Sequence, residues 1–188
     1  MTNVPLLRPA TASDIPALAE TNISAANFSI PGRKLGEELF DLERDIAPAK
    51  PDGSPPGKLR LQLEDRLSKG HIWLAELDGQ VVGSIAWDDP SWSAEQGYEP
   101  GEITSMAVHP SYHSRGIGTM LLNHAKHVSA RVKEMRGIDS EVLIQVRCFE
   151  KNPRALAFYE RAGFERRHGA EEWHEKVGEY LALLELLK

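Results

Sequence analysis

The sequence predicts an α/β (α+β) fold in which one mixed sheet carries helices on both faces. Two observations lead there. Apolar residues switch between helical spacing and short strand-like runs along the whole chain, and that alternation needs strands joined by helices that cover a sheet. In addition, 188 residues with 41% hydrophobic and 27% charged side chains suit one globular domain over residues 1–188, long enough to bury a core without staples.

The elements follow in order. Leu6-Leu7-Arg8 is a short apolar run stopped by Pro9, and Thr11 to Asp14 supplies capping side chains ahead of Ile15, Leu18, Ala19 and Ile23 at helical spacing. A second helical stretch spans Lys34 to Ile46. The cluster of Pro48, Pro51, Gly53, Pro55, Pro56 and Gly57 then forces a loop, after which Leu59, Leu63 and Leu67 resume the helical period. Ile72, Leu74 and the run Val81 to Ile85 flank Asp78-Gly79, a dipeptide suited to the positive φ angles of a tight hairpin. Asp88 to Gly101 reads as a second long loop. Beyond it come a strand (Ile103 to Val108), a glycine-bearing turn (Ser114 to Gly118) and a helix with Leu121, Ala125, Val128 and Val132 on one stripe. A strand (Val142 to Phe149), a short helix and two last strands near Phe164 to Arg167 and Tyr180 to Leu187 complete the chain. Residues 30–60, 88–100 and 168–178 carry no motif.

Composition excludes several classes. Twenty-two Lys and Arg against 28 Asp and Glu leave a net charge of −6, with the signs interspersed. No basic stripe exists for a nucleic-acid backbone. Cys148 is alone, so neither an internal disulfide nor a multi-cysteine zinc site forms, and a reducing, cytoplasmic setting fits. The opening residues lack a signal-peptide pattern and no apolar run reaches membrane-spanning length, so no membrane association is expected. His124-x-x-His127 has no third ligand nearby, and no metal is expected.

The most informative segment runs from Glu102 to Leu122. A buried strand enters a turn at His113-Ser114-Arg115-Gly116-Ile117-Gly118 and the turn opens a helix beginning near Thr119. The first N–H groups of such a helix point outward, the glycines remove the Cβ atoms that would keep a phosphate away, and the helix dipole favours negative charge. Two glycines between strand and helix also serve simple turn chemistry. A dinucleotide fold would want a third glycine where Leu121 stands, and a Walker loop would want Gly-Lys-Ser/Thr.

A second block, Asn152-Pro153-Arg154-Ala155-Leu156-Ala157-Phe158-Tyr159-Glu160-Arg161-Ala162-Gly163-Phe164, has Asn152 as helix cap, Pro153 in the first turn and Gly163 as a left-handed stop. Together the two blocks resemble motifs A (Arg/Gln-x-x-Gly-x-Gly/Ala) and B (Asn-x-x-Ala-x-x-Phe-Tyr-x-x-x-Gly-Phe) of the GNAT superfamily of acyl-CoA N-acyltransferases. The first departs only in having His113 for Arg or Gln. The resemblance covers residues 71–168 closely and the first strand and helix in outline.

The resemblance implies a mostly antiparallel sheet of about six to seven strands and acetyl transfer from acetyl-CoA to a primary amine by direct attack, with no metal. The protein would be a monomer or a homodimer, and the amine either a small molecule or a protein amine. It places the cofactor against the main chain of Met106, Ala107 and Val108, the turn residues His113 to Thr119 and Asn152. Tyr159 takes the place of the donor to the leaving thiolate. An alkylammonium with a pKa near ~10.4 must lose a proton before it attacks, and Glu102 is the candidate base in register with the family's glutamate. Equally, Glu102 suits a solvated strand start and Tyr159 a core aromatic. Gln145 on the following strand cannot accept a proton. The acidic and aromatic residues Asp88, Asp89, Glu95, Glu99, Trp87, Trp92 and Tyr98 would suit a cationic amine if their loop bordered the acceptor, although such charge runs usually face water. The rival reading is a non-catalytic acyl-CoA-binding or partner-binding module.

Overall fold

A computed structural model describes residues 4–93 and 97–187. The chain begins with β1 (Leu6–Pro9) and α1 (Ile15–Ala26), then α2 (Leu35–Leu39), α3 (Leu42–Asp45) and α4 (Lys58–Ser68). A hairpin of β2 (Ile72–Leu77) and β3 (Gln80–Asp88) follows, then a small ribbon of β4 (Ser91–Ser93) and β5 (Gly97–Glu99), and β6 (Gly101–Val108) leading into the long α5 (Ile117–Met135). The remainder is β7 (Val142–Phe149), α6 (Pro153–Arg161), β8 (Glu165–Arg166), β9 (Glu172–His174) and β10 (Glu179–Leu187).

The main sheet has eight strands in the order β1-β2-β3-β6-β7-β10-β8, with β9 also on β10. Only the β6–β7 pair among those described is parallel. This is the mixed, mostly antiparallel sheet flanked by helices that the sequence predicts. One face packs Val82, Ile85, Ile103, Ile144, Val146 and Leu184 against Leu121, Leu122 and Ala125 of α5 and Tyr159 of α6. The other packs Ile72, Leu74 and Ala86 against Ile15, Leu18 and Ala19 of α1 and Leu59 and Leu63 of α4.

The Asp78-Gly79 hairpin forms as expected, with φ of 52° and 77° and Leu77 paired to Gln80. Three expectations need correction. The helical stretch from Lys34 to Ile46 is two short helices, because Phe40 is extended and Asp41 accepts a bond from the Arg44 N–H and starts a new helix. The segment from Asp88 to Gly101 contains the β4–β5 ribbon, and Trp87 belongs to β3, where it is buried. Residues 168–178 include β9, whose ladder with β10 runs from Glu172 to His174.

At the edge of the sheet, Arg8 donates to both oxygens of Asp14 at 2.8 Å and to Glu76 at 2.7 Å. Asp14 also accepts from the N–H and hydroxyl of Thr11, each at 2.8 Å. The guanidinium, chiefly, holds the Asp14 carboxyl well below the usual carboxylate range. A depressed carboxylate contributes stability above its unfolded pKa, and that contribution is lost as pH falls. Asp14→Asn should therefore lower unfolding free energy by about 1–3 kcal/mol at neutral pH, and the gap from the wild type should close as pH drops below ~4. Urea midpoints across that range measure it; a gap that does not depend on pH would contradict the ion pair's role.

Candidate active site

β6 and β7 run side by side only from Gly101↔Ile144 to Ile103↔Val146. Beyond Ile103, β6 stays paired with β3 as far as Gly83↔Val108, and its other edge has no strand partner among the described residues. The His109 N–H donates to Val82 O at 2.9 Å on the β3 side. Main-chain groups alternate along a strand, so those of Met106 and Val108 face the gap left by β7. The Val108 carbonyl confirms this direction, since the His113 ring nitrogen Nε2 lies 2.8 Å from it.

The turn after β6 opens onto the same gap. Ser114 and Gly116 have φ of 61° and 78°, and α5 starts at Ile117. Its first backbone bond runs from Met120 N–H to Gly116 O at 3.0 Å. Among the described residues, no group accepts from the main-chain N–H of Ser114 through Thr119. Six consecutive unpaired donors thus lie in and beside the first turn of the helix, and five of the residues that carry them, all but Arg115, line the cleft. Two glycines secure this turn in different ways. Gly116 has open space at its Cβ position but a φ that a side chain disfavours, whereas a Cβ on Gly118 would stand 3.3 Å from Met106 Cε and 3.4 Å from Phe158 Cε2.

The opposite wall is α6. Asn152 accepts from the Ala155 N–H at 3.1 Å, Pro153 fills the first turn, and Gly163, at φ 89°, ends the helix. This orientation puts Phe158 and Tyr159 into the gap. Tyr159 is buried, its ring edge-on to Phe158 and Phe164 at 5.2 and 5.4 Å. Among the described residues its hydroxyl has only the thioether of Met106, at 4.0 Å, and burial raises its pKa, so the phenol keeps its proton.

The resulting cleft has a volume of about 360 Å³. It gathers Met106, Val108, His113, Ser114, Gly116, Ile117, Gly118, Thr119, Asn152 and Tyr159, all named from the sequence. Ala107 instead faces a second cavity of about 660 Å³ on the α1 side of the sheet, which meets the first at Ala25, Ser29, Met106 and Asn152. Arg115 lies outside the cleft over the Tyr112 ring, 5.1 Å from its centroid. The His113 pKa is lowered by burial and then by Arg154, so it is a neutral contact rather than a cation. Phe28 and Ser29 from the turn after α1, and Arg154 and Arg161 from α6, line the cleft without having been named from the sequence. The two arginines occupy variable positions of the second motif, and their direction becomes visible only once α6 is oriented.

Glu102 is placed elsewhere. Its carboxylate accepts from Gln145 Nε2 at 2.9 Å and from the Arg147 guanidinium, and it lines neither cavity. Four residues of strand separate it from Met106, about 13 Å at ~3.3 Å per residue. The acidic and aromatic segment is also remote. Asp89 pairs with Arg136, and Tyr98 donates to Val142 O at 3.3 Å, so both lie at the C-terminal end of α5. Asp88, Trp87 and Glu99 line neither cavity, and Glu95 lies outside the described residues. No group of three or more His, Cys, Asp or Glu among the described residues is placed to hold a metal ion.

The acetyltransferase (GNAT) domain family matches residues 68–166, a span holding both the donor turn and α6. The chain belongs to the GNAT acetyltransferase family. An uncharacterized N-acetyltransferase of Methanocaldococcus jannaschii is 31% identical over 106 residues, which is 56% of this chain and 44% of that relative. The match thus spans less than half the relative's length. A putative acetyltransferase of Salmonella typhimurium, solved with its cofactor acetyl-CoA, has a TM-score of 0.66 at 19% identity, covering 98% of this chain and 94% of that one. A ribosomal-protein-alanine N-acetyltransferase of Brucella melitensis has a TM-score of 0.62 at 26% identity, covering 97% and 99%. The fold is that of GNAT acetyltransferases, solved relatives of which carry coenzyme A or acetyl-CoA. No described helix is long and apolar enough to cross a membrane.

Cys148 lies on β7 beneath Tyr159, 6% exposed, with its thiol pushed up to about 12 by burial. Reaction needs the thiolate. Iodoacetamide labelling at mildly alkaline pH should be slower in the folded protein than in guanidinium by on the order of 100-fold or more; equal rates would contradict the packing described.

Proposed function

We propose that this GNAT-family chain transfers the acetyl group of acetyl-CoA to a primary amine by direct attack, acting as one catalytic domain. The observation that carries this reading is the row of six partnerless N–H groups from Ser114 to Thr119, opening on a cleft whose other wall ends at Tyr159. A diphosphate satisfies such a row, and its charge suits a helix N-terminus. Arg154 and Arg161 line the same cleft and add positive charge. The pantetheine arm then lies in the gap between β6 and β7, its amides bonded to the free edge at Met106 and Val108, in the manner of an added strand. His113, Ser114 and Asn152 complete the cofactor contacts; Arg115 belongs to the turn through its backbone, and Ala107 borders the larger cavity on the acceptor side.

The chemistry follows from that placement. The neutral amine nitrogen attacks the thioester carbonyl carbon and a C–N bond forms. A main-chain N–H of the β6 edge steadies the negative charge that collects on the carbonyl oxygen. The adduct nitrogen gives its extra proton to water in the larger cavity, the C–S bond breaks, and the sulfur leaves with the electron pair as a thiolate that takes a proton from solvent. The Tyr159 hydroxyl, held by nothing stronger than a thioether, is free to donate to that sulfur. Full proton transfer from a phenol to a thiolate runs uphill by about 2 kcal/mol on ordinary pKa values, and burial of Tyr159 adds to that cost. Tyr159 therefore acts by hydrogen bonding to developing charge. With Glu102 held by Arg147 and Gln145, the ammonium proton is released through the larger, open cavity rather than to that carboxylate.

Gly116→Val, which forces a branched side chain into a left-handed φ, should abolish coenzyme A uptake measured by calorimetry while leaving the fold intact by circular dichroism. Tyr159→Phe should lower kcat by about 10- to 100-fold with little change in KM for acetyl-CoA. Glu102→Gln should change kcat by less than about threefold. Acetyl-CoA turnover over an amine panel measures the last two; binding without turnover by the wild type would turn the assignment into that of a non-catalytic module, and a large Glu102→Gln defect would restore that residue as the base.

A further inference from the structure

The larger cavity, on the α1 side of the sheet, contains charge and hydrogen-bonding groups that the transfer chemistry does not use. Two formally charged residues line it, Asp65 and Arg66 from the last turns of α4. Asp65 is neutralised by Lys69, whose Nζ lies 2.8 Å away. Arg66 has no side-chain hydrogen bond or ion pair with any described residue. An unpaired guanidinium bordering a cavity is a fork of donors with nothing to hold, and a carboxylate is its natural complement.

A further group borders the same space. His174 on β9 receives the Val177 N–H at Nδ1, 3.3 Å away. That bond makes Nδ1 the acceptor, so the ring proton sits on Nε2, which has no partner among the described residues. The remaining walls are largely apolar, Leu35, Leu39 and Phe40 among them.

We propose, resting on the acetyl-transfer reading above, that the acceptor is a zwitterionic amine, a free amino acid with an apolar side chain, whose carboxylate is held by the Arg66 guanidinium, with the Nε2–H of His174 as a polar group elsewhere on the cavity wall. The amine nitrogen reaches the thioester at the Met106 junction of the two cavities. The carboxylate changes no bond; it fixes where the amine stands. Asp88 and Asp89 do not line this cavity; they lie against His71.

Matched pairs test this: leucine against leucinamide and phenylalanine against phenylalaninamide, with kcat/KM expressed per unit of free amine. The expected result is a preference of about tenfold or more for the carboxylate member. Arg66→Gln should raise KM for that member by a similar factor, with kcat nearly unchanged and the amide member unaffected, and Arg66→Lys should recover part of the loss. Equal or better turnover of the amides overturns the inference, as does an equal effect of Arg66→Gln on both members, or failure of either member to react in a protein that binds coenzyme A. Absence of coenzyme A uptake by the wild type would instead overturn the acetyl-transfer reading beneath it.

Discussion

Backbone polar groups not used by ladders or helices are open to ligands. This chain gathers two sets of them at one place. β6 parts from β7 after Ile103 and leaves an edge with no strand beside it, and the turn after β6 leaves the N–H groups of Ser114 through Thr119 without acceptors. Both sets of groups face one cleft. Water can complete the exposed ones, and in the proposed reading one extended molecule with an anionic end replaces it.

The rest of the structure holds that gap open. Leu121, Leu122 and Ala125 anchor α5 on the sheet, all at most 1% exposed, which fixes the direction of the helix N-terminus. Gly83 on β3 lets α5 approach closely, since a Cβ there would lie 3.1 Å from both Ile117 Cγ2 and Leu121 Cδ1. On the far wall, Phe164 and Phe158 clamp the Tyr159 ring, and Lys126 of α5 bonds the Ala162 carbonyl at 2.6 Å, tying the end of α6 to the helix opposite. The cleft is thus a consequence of two helices fixed to strands that diverge.

Much of this was legible because local chemistry dictates it. Asp78-Gly79 can hardly be other than a hairpin turn, Asn152-Pro153 other than a helix start, and Gly116 sits where only a left-handed residue closes the turn. What stayed hidden depends on register. Glu102 is at the strand position that suits a base, yet its partner across the ladder is Gln145, and Arg147 two residues on reaches back to it. Neither fact is written in the local sequence around Glu102. Arg66 and His174 come from segments 108 residues apart and share a cavity only because β9 lies along β10 and α4 lies against β2. Phe28 and Ser29 likewise reach the cleft because α1 ends there.

In the proposed reading, the amides from Ser114 to Thr119 receive the diphosphate of coenzyme A. Backbone amide chemical shifts recorded during a coenzyme A titration test it directly. These six resonances should move most and saturate together at one equivalent, with Met106 and Val108 next. Saturating binding that moves amides elsewhere while these six stay in place would contradict it.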